Sequence, residues 1–299
     1  MKMNPVYRRE SMVSARSFKL SLILLVFNGI LALVALLNMY STLAQVRLTA
    51  EIQYSSFLDL YVFVAVLEFV MLIFIMPALT AGSISGERER QTLELMLTTR
   101  MTPAEIVLGK LMASLSTMFL MIISSFPILA MVFVYGGVTL NDIVELLLCY
   151  VAAALFVGSL GICCSAVFQK TTFSTVVSYG LLALVVLGTY GVNRFAAYMS
   201  QVHADAYLAS VGQSAAAGNS GGFLYLLLMN PTSTFIATMM RLAGTGIDQA
   251  GYTVVGWFGE REINVVLGNW VECSIMIQLL MAMVFVWIAV KAVSPKKRG

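Results

Sequence analysis

The chain has 299 residues, of which 60% are hydrophobic and only 11% are charged, and its mean hydropathy is +0.89. Soluble globular domains carry about 25% charged residues, so this composition excludes a water-soluble domain and indicates a polytopic membrane protein. The formal net charge of +3 comes from dispersed basic residues without a basic, aromatic-interleaved face, which argues against a nucleic-acid partner.

The N-terminal segment, residues 1–17, precedes the first apolar run. In "NPVYRRESMVSARSFKL" it mixes Val6, Tyr7 and other apolar residues with Arg8, Arg9 and Glu10. A basic, partly apolar helix of this kind can lie in the headgroup layer of a membrane. The sequence therefore predicts a cytoplasmic interfacial helix here, with a disordered leader as the alternative.

Six apolar runs are long enough to cross the bilayer core as helices, which takes about 20 residues. They lie at about 18–39, 60–82, 110–135, 143–168, 172–193 and 272–292. The first run is longer than the apolar core of a typical signal peptide, so we do not expect it to be a cleaved secretory signal. The predicted fold is therefore all-α, with six transmembrane helices in one membrane domain over residues 1–299 and no internal repeat.

The distribution of Lys and Arg predicts the orientation, because cytoplasmic loops carry the excess of these residues. With the N-terminus inside, only Arg47, Arg194, Arg241 and Arg261 lie outside, and every other Lys and Arg lies on the cytoplasmic side. Both termini are therefore predicted to be cytoplasmic.

One carboxyl stands well inside a predicted span: Glu68, in "VAVLEFVML". Burying a charge in lipid is costly, so an ionisable residue at this depth needs an explanation. Glu68 could line a substrate pathway or bind a cation, or it could be protonated or hydrogen-bonded to a neighbouring helix; we favour the structural role. Glu145 lies nearer the membrane edge, and we expect it to be interfacial.

Most of the interior charge lies in "GERERQTLELMLTTRMTPAEIVLGK", residues 86–110, around a cytoplasmic segment at 83–105. The first part alternates charge signs and then places Leu93, Met96 and Leu97 at helical i, i+3, i+4 spacing, which predicts a short amphipathic helix. Such a helix can dock in a partner's groove, the apolar stripe giving affinity and the charges fixing register. A solvated connector is the alternative.

A helix start signal follows in "TPAE". Thr102 is suited to the N-cap, Pro103 to the first helical position, and Glu105 can reach back to the N-cap amide. The sequence therefore predicts that the helix of the third span begins here.

The outer segment between the fifth and sixth spans is long, at about 194–271, and contains "FLYLLLMNPTSTFIATMM". A seventh crossing here would put the C-terminus outside and would bury a helix-breaking Asn230-Pro231 pair mid-membrane. We predict two short interfacial or re-entrant helices hinged at Asn230 and Pro231. Trp257, Phe258 and Trp270 would suit the outer aromatic belt.

Signatures of catalysis are missing. Gly109 and Lys110 lack the upstream glycine and the following hydroxyl of a phosphate-binding loop, so we do not expect ATP hydrolysis by that route. The residues of an intramembrane protease, a His-Glu-x-x-His zinc pair or a serine with a histidine base, are missing too. The four cysteines are expected to pack as small hydrophobes and not to form a metal site.

The charged segment resembles the region of type-2 ATP-binding-cassette (ABC) exporter permeases that runs Glu-x-x-x-x-Thr-Leu-Glu-Leu-Leu and then Ile-Val-x-Gly-Lys. The matching positions are Glu87, Thr92, Leu93, Glu94, Leu95, Leu97, Ile106, Val107, Gly109 and Lys110. Weaker similarities are the "NPVYRRE" opening, the junction "GICCSAVFQKTTFSTVVSYG" and the Asn230-Pro231 pair.

The resemblance implies a permease subunit of a bacterial plasma membrane, without ATPase motifs, a bound cofactor or a metal of its own. It implies pairing with a second permease, identical or related, and with two ABC ATPase subunits that hold ATP and Mg and drive substrate outward. The coupling contact is implied for Glu87, Arg88, Arg90, Thr92, Leu93, Glu94, Met96 and Leu97, together with Arg8, Arg9 and Glu10 of the N-terminal helix.

Two alternatives stay open at this point. A scaffold or signalling membrane protein could use the same segment to bind a cytosolic partner without transport. An ion-coupled secondary carrier could use Glu68. The substrate also stays open, because apolar span faces that would suit an amphipathic cargo are equally what lipid demands.

Overall fold

The computed structural model describes residues 5–49, 55–98, 101–135, 139–211, 218–242, 258 and 264–294. Within these residues every regular element is helical. The helices of the N-terminal half are α1 (Pro5–Ala15), α2 (Phe18–Thr49), α3 (Ser55–Thr80), α4 (Ser85–Glu89), α5 (Thr92–Thr98) and α6 (Pro103–Tyr135). They are followed by α7 (Leu140–Val167), α8 (Thr171–Ala183), α9 (Thr189–Val211), α10 (Pro231–Leu242), α11 (Val265–Gly268) and α12 (Trp270–Val293).

Six helical stretches are long and apolar enough to span a membrane, which confirms the predicted all-α polytopic fold. They are Leu20–Ser41, Tyr61–Glu89, Pro103–Pro127, Asn141–Val167, Thr171–Ala206 and Trp270–Val293. The fifth runs further than predicted, because a π-helical turn at Leu184–Gly188 joins α8 to α9 and no proline interrupts the helix up to Val211. Residues 194–211 are therefore helix, where the sequence predicted the start of an outer loop.

The fourth span, α7, lies at the centre of the bundle. It is the most buried of the six, and the first and fifth spans are the least buried. Its Tyr150 hydroxyl donates to the Ala65 carbonyl of α3 at 2.8 Å, and Phe69 stacks on Phe235 of α10 at a centroid distance of 4.2 Å. At Gly161 a Cβ would overlap Thr80 of α3, so this glycine permits a close helix approach.

The end of the bundle away from the charged segment is covered by a bent pair of helices. A 3-10 helix at Gly221–Met229 meets α10 at 91°, which confirms the predicted bend at Asn230 and Pro231. Beneath it, Phe258 and Trp270 are each only 1% exposed and pack with Leu224 and Leu227. The prediction that these two aromatics form a surface belt is therefore wrong, because they fill the core under the bend; Trp257 lies outside the described residues.

Candidate functional site

The charged segment forms two helices, α4 and α5, and not the single amphipathic helix that the periodicity predicted. The break falls at Arg90 and Gln91, and Gln91 has a left-handed backbone with φ of 58°. A residue in this conformation ends a helix. Thr92 closes the break, because its hydroxyl donates to the Glu87 carbonyl at 3.1 Å and also to the Glu87 carboxylate.

The start of α4 is capped by a distant serine. The backbone N–H groups of Ile84 and Ser85 both donate to Ser165 Oγ of α7, at 2.8 Å and 2.9 Å. Ser174 of α8 donates to the Ala81 carbonyl at 2.7 Å. Free amides at a helix start need acceptors. Here α7 provides the acceptor for these amides, and α8 provides a hydroxyl that donates to a neighbouring carbonyl. The segment is thereby fixed to the junction between the fourth and fifth spans.

Two charged side chains of the segment form hydrogen bonds with free backbone groups at the ends of other helices. Arg88 donates to the Ala166 carbonyl at 3.1 Å and to the Phe168 carbonyl at 3.4 Å, at the end of α7. Glu89 accepts from the backbone N–H and the hydroxyl of Thr171, both at 2.9 Å, at the start of α8. Cations suit helix C-termini and anions suit N-termini. The charges of Arg88 and Glu89 are therefore explained by this chain's own helices.

Lys110 joins three elements at the end of the third span. Its Nζ lies 3.2 Å from Glu10 Oε1 of α1 and 3.4 Å from Glu87 Oε1 of α4, and its side chain is only 5% exposed. A buried cation needs such partners. The Tyr7 hydroxyl of α1 also bonds the Ser116 hydroxyl at 3.1 Å. The predicted N-terminal helix is thus held against α6, with Glu10 half-buried and Arg8 and Arg9 exposed.

The apolar stripe of the segment faces inward. Leu93 is 5% exposed and packs in the main core, and Met96 packs with Val6 of α1 and Ile106 of α6. Leu97 is half-buried. The prediction that this stripe is free to dock in a partner is therefore wrong, because the side chains are used within the chain. The residues that face outward are Glu89, Arg90, Gln91, Glu94, Leu95 and Thr98.

The predicted start of the third span is confirmed. The Thr102 backbone N–H donates to Glu105 Oε2 at 2.8 Å, and the Glu105 backbone N–H donates to the Thr102 hydroxyl at 3.2 Å. This reciprocal pair is a capping box. It fixes where α6 begins, about two turns before Lys110.

A polar cavity of about 410 Å³ lies between α1, the end of α3, α4 and α6. Its lining residues are Glu10, Ser14, Ala78, Leu79, Gly82, Ser83, Gly86, Glu87, Arg90, Lys110, Ala113, Ser114 and Thr117. Four of these residues carry charge, and four carry hydroxyl groups. No motif in the sequence predicts this cavity, because its walls come from four separate elements.

Glu68, for which a substrate pathway was one of two alternatives, does not line that cavity. It is 3% exposed, and within the described chain neither of its carboxyl oxygens has a hydrogen-bond partner. The structural role that we favoured, a carboxyl that is protonated or hydrogen-bonded to a neighbouring helix, stays a prediction. Glu145 pairs with Arg241 of α10 at 3.0 Å, and the same guanidinium lies 3.2 Å from Glu272.

The hinge residues are held by the fifth span. Asn230 Nδ2 donates to the Val186 carbonyl in the π-helical turn and to the Thr189 hydroxyl, both at 3.0 Å. Asn230 Oδ1 accepts from the Thr232 backbone N–H at 2.9 Å. Pro231 stands at the first position of α10, where a missing N–H costs nothing. The bend is thus fixed by side-chain contacts to the π-helical turn and to α9.

Cysteines and possible metal ligands add nothing further to the site. Cys149 and Cys164 are buried, Cys163 and Cys273 are half-buried, and all four thiols are free. Within the described ranges, no three His, Cys, Asp or Glu side chains are grouped so that they could hold a metal ion.

A family model described as "ABC-2 family transporter protein" matches residues 28–291. No curated protein matches the chain.

Proposed function

Since the chain belongs to the ABC-2 transporter family and is therefore a membrane permease component of an ABC transporter, we propose that it is the permease subunit of an ATP-driven exporter. In this proposal it moves substrate outward from the cytoplasm or the inner leaflet. Two separate ABC ATPase subunits hold ATP and Mg and supply the energy, and a second permease, identical or related, completes the membrane part.

The proposal places the complex in a bacterial plasma membrane with both termini of this chain in the cytoplasm. The lysine and arginine distribution supports this orientation. Segment 85–98 then lies on the cytoplasmic side, where an ATPase can reach it.

The observation that carries the proposal is the two-sided character of this segment. One side presents Arg90, Glu94 and Leu95 outward, and Leu95 is 67% exposed. An exposed apolar side chain between charges fits a contact in which the apolar group gives affinity and the charges give register. These outward residues, and not the buried Leu93 and Met96, are the proposed ATPase contact.

The other side of the segment provides the mechanical connection. Ser165 and Arg88 fix α4 to α7, and Glu89 fixes it to α8. Through Lys110, Glu87 connects α4 to α1 and α6. A push on α4 and α5 by closing ATPases would therefore reach the third, fourth and fifth spans together, which is what a rearrangement of the bundle requires.

Leu95→Asp tests the contact without disturbing the core. We expect this variant to reach the membrane in normal amount but to bind its ATPase about 30-fold more weakly, the usual cost of removing an interface hot spot. Co-purification and ATP turnover measure the loss. Val265→Asp makes the same change at an 82% exposed residue in α11 and should leave both unchanged. Equal ATPase recovery with Leu95→Asp and Val265→Asp would refute the contact.

A further inference from the structure

Glu68 is a buried carboxyl that the proposed transport mechanism does not use. It lies on α3, about 10 Å along the helix from Tyr61, where the second span begins. Its side chain is 3% exposed, and neither carboxyl oxygen has a hydrogen-bond partner within the described chain. A charged carboxylate buried without a partner is costly. The state of this carboxyl therefore needs a specific explanation.

No basic side chain of the described residues compensates a negative charge at Glu68. Ion pairs in this part of the chain are made by Lys110 and Arg241, and neither contacts Glu68. The titratable side chains on the elements packed around the carboxyl are Tyr61, Asp142, Cys149 and Tyr150. None of these carries a positive charge in any protonation state. An ionised Glu68 would thus have no counter-charge.

Two hydroxyl groups lie beside the carboxyl, and both donate their protons elsewhere. They belong to Ser125 of α6 and Tyr150 of α7. Ser125 donates to the Ile122 carbonyl at 2.7 Å, and Tyr150 donates to the Ala65 carbonyl at 2.8 Å. A hydroxyl whose proton is used in this way still has lone pairs to accept with. The groups next to Glu68 therefore accept hydrogen bonds and do not donate them.

One protonation state of the carboxyl suits these surroundings. An ionised carboxylate is only an acceptor, whereas a protonated carboxyl has an O–H group that can donate. The protonated form also avoids the cost of a buried charge. The hydrogen-bonding requirement and the charge requirement thus lead to the same species.

We propose that Glu68 is a proton-binding site. In the packed bundle it is a neutral carboxylic acid, and its O–H group donates to the hydroxyl oxygen of Ser125 or Tyr150, which joins α3 to a neighbouring helix. The exclusion of water maintains this state, so a rearrangement that lets water reach Glu68 would release the proton. Proton binding by the permease alone is at issue, so the outcome is independent of whether the chain couples to an ATPase.

Infrared spectroscopy of the purified full chain in an ester-free detergent tests the site, because a protonated carboxyl has a C=O stretching band that a carboxylate lacks. Near neutral pH the wild type should show this band, and Glu68→Gln should lose it. Glu145→Gln is the matched control and should keep the band, because the Glu145 carboxyl is paired with Arg241. A wild type without the band, or a band that survives Glu68→Gln, would overturn the proposal.

Replacing choline by sodium at constant pH and ionic strength distinguishes a proton from a metal cation. A sodium ion held by the carboxylate would displace the proton and remove the C=O band. We expect the same band in both salts. A band that disappears in sodium would assign the site to a metal cation and would overturn the proposal.

Ser125→Ala and Tyr150→Phe test the hydrogen bond of the acid. The frequency of a carboxyl C=O band changes when the hydrogen bond of its O–H group is lost, so one of these variants should shift the band. Ser159→Ala should leave it in place, because Ser159 is equally buried but bonds the Phe156 carbonyl of its own helix. An unshifted band in both variants would refute the hydrogen bond.

Thermal unfolding of Glu68→Gln provides a second readout. The amide is neutral and can donate to the same hydroxyl oxygens, so we expect the unfolding temperature of the wild type. A clear drop in that temperature would mean that the bundle needs a negative charge at this position, and it would contradict a bound proton.

Discussion

Single polar side chains hold together the end of this protein that carries the charged segment. Ser165, Arg88 and Glu89 each bond backbone groups at the end of a helix other than their own. Helix ends carry amides and carbonyls without partners inside the helix, and in a membrane protein water cannot always satisfy them. A few hydrogen bonds therefore determine how the charged segment is joined to the spans.

Ser165→Ala should lower the stability of the protein more than the removal of one small hydroxyl group suggests. It leaves the buried Ile84 and Ser85 amides without their acceptor, so we expect a loss of about 1–2 kcal/mol in stability, as for other helix caps. Denaturant unfolding in mixed micelles measures it. Ser159→Ala in the same helix is the control, because Ser159 is equally buried but bonds only the Phe156 carbonyl of its own helix. Equal losses in the two variants would mean that the cap contributes nothing.

Among the elements, the bent pair at 221–241 depends most on one residue. The 3-10 helix and α10 meet at 91°, and the amide of Asn230 connects that corner to the π-helical turn of the fifth span. Below it, Gln278 of α12 donates to the Thr234 hydroxyl at 2.7 Å, and Ser274 donates to the Leu228 carbonyl at 2.7 Å. These contacts provide hydrogen-bond partners for polar groups at the bend, which would otherwise be unpaired in an apolar region.

Asn230→Asp should loosen the corner while keeping its shape. The carboxylate cannot donate, so the Val186 carbonyl and the Thr189 hydroxyl lose their partner and a charge is brought beside them; we expect about 2–3 kcal/mol of lost stability. Thermal unfolding in detergent checks this. The same change at Asn264, which is exposed and makes no side-chain cap bond, should have little effect. Matching unfolding curves for both variants would contradict the role of the Nδ2 donor.

For the whole molecule, the sequence predicts what depends on neighbours along the chain. The six spans follow from apolar runs, the Thr102 capping box from four consecutive residues, and the bend from Asn230 and Pro231. The rest depends on residues far apart: α4 is shaped by Ser165 and Thr171, about 80 positions away. The spacing of apolar residues therefore predicts the apolar stripe of α5. It cannot show that Val6 and Ile106, which are distant in the sequence, cover part of that stripe.

The orientation of the chain in the membrane can be measured by cysteine labelling, and the same measurement distinguishes six crossings from seven. Lys and Arg place segment 85–98 inside and, with six spans, α11 outside. In a background with the four native cysteines replaced by alanine, a membrane-impermeant maleimide should label Val265→Cys in intact cells, because Val265 is 82% exposed. It should label Leu95→Cys only after the cells are opened. If the bent pair at 221–241 crossed the membrane as one span, Val265 would change sides, and both cysteines would react only after opening.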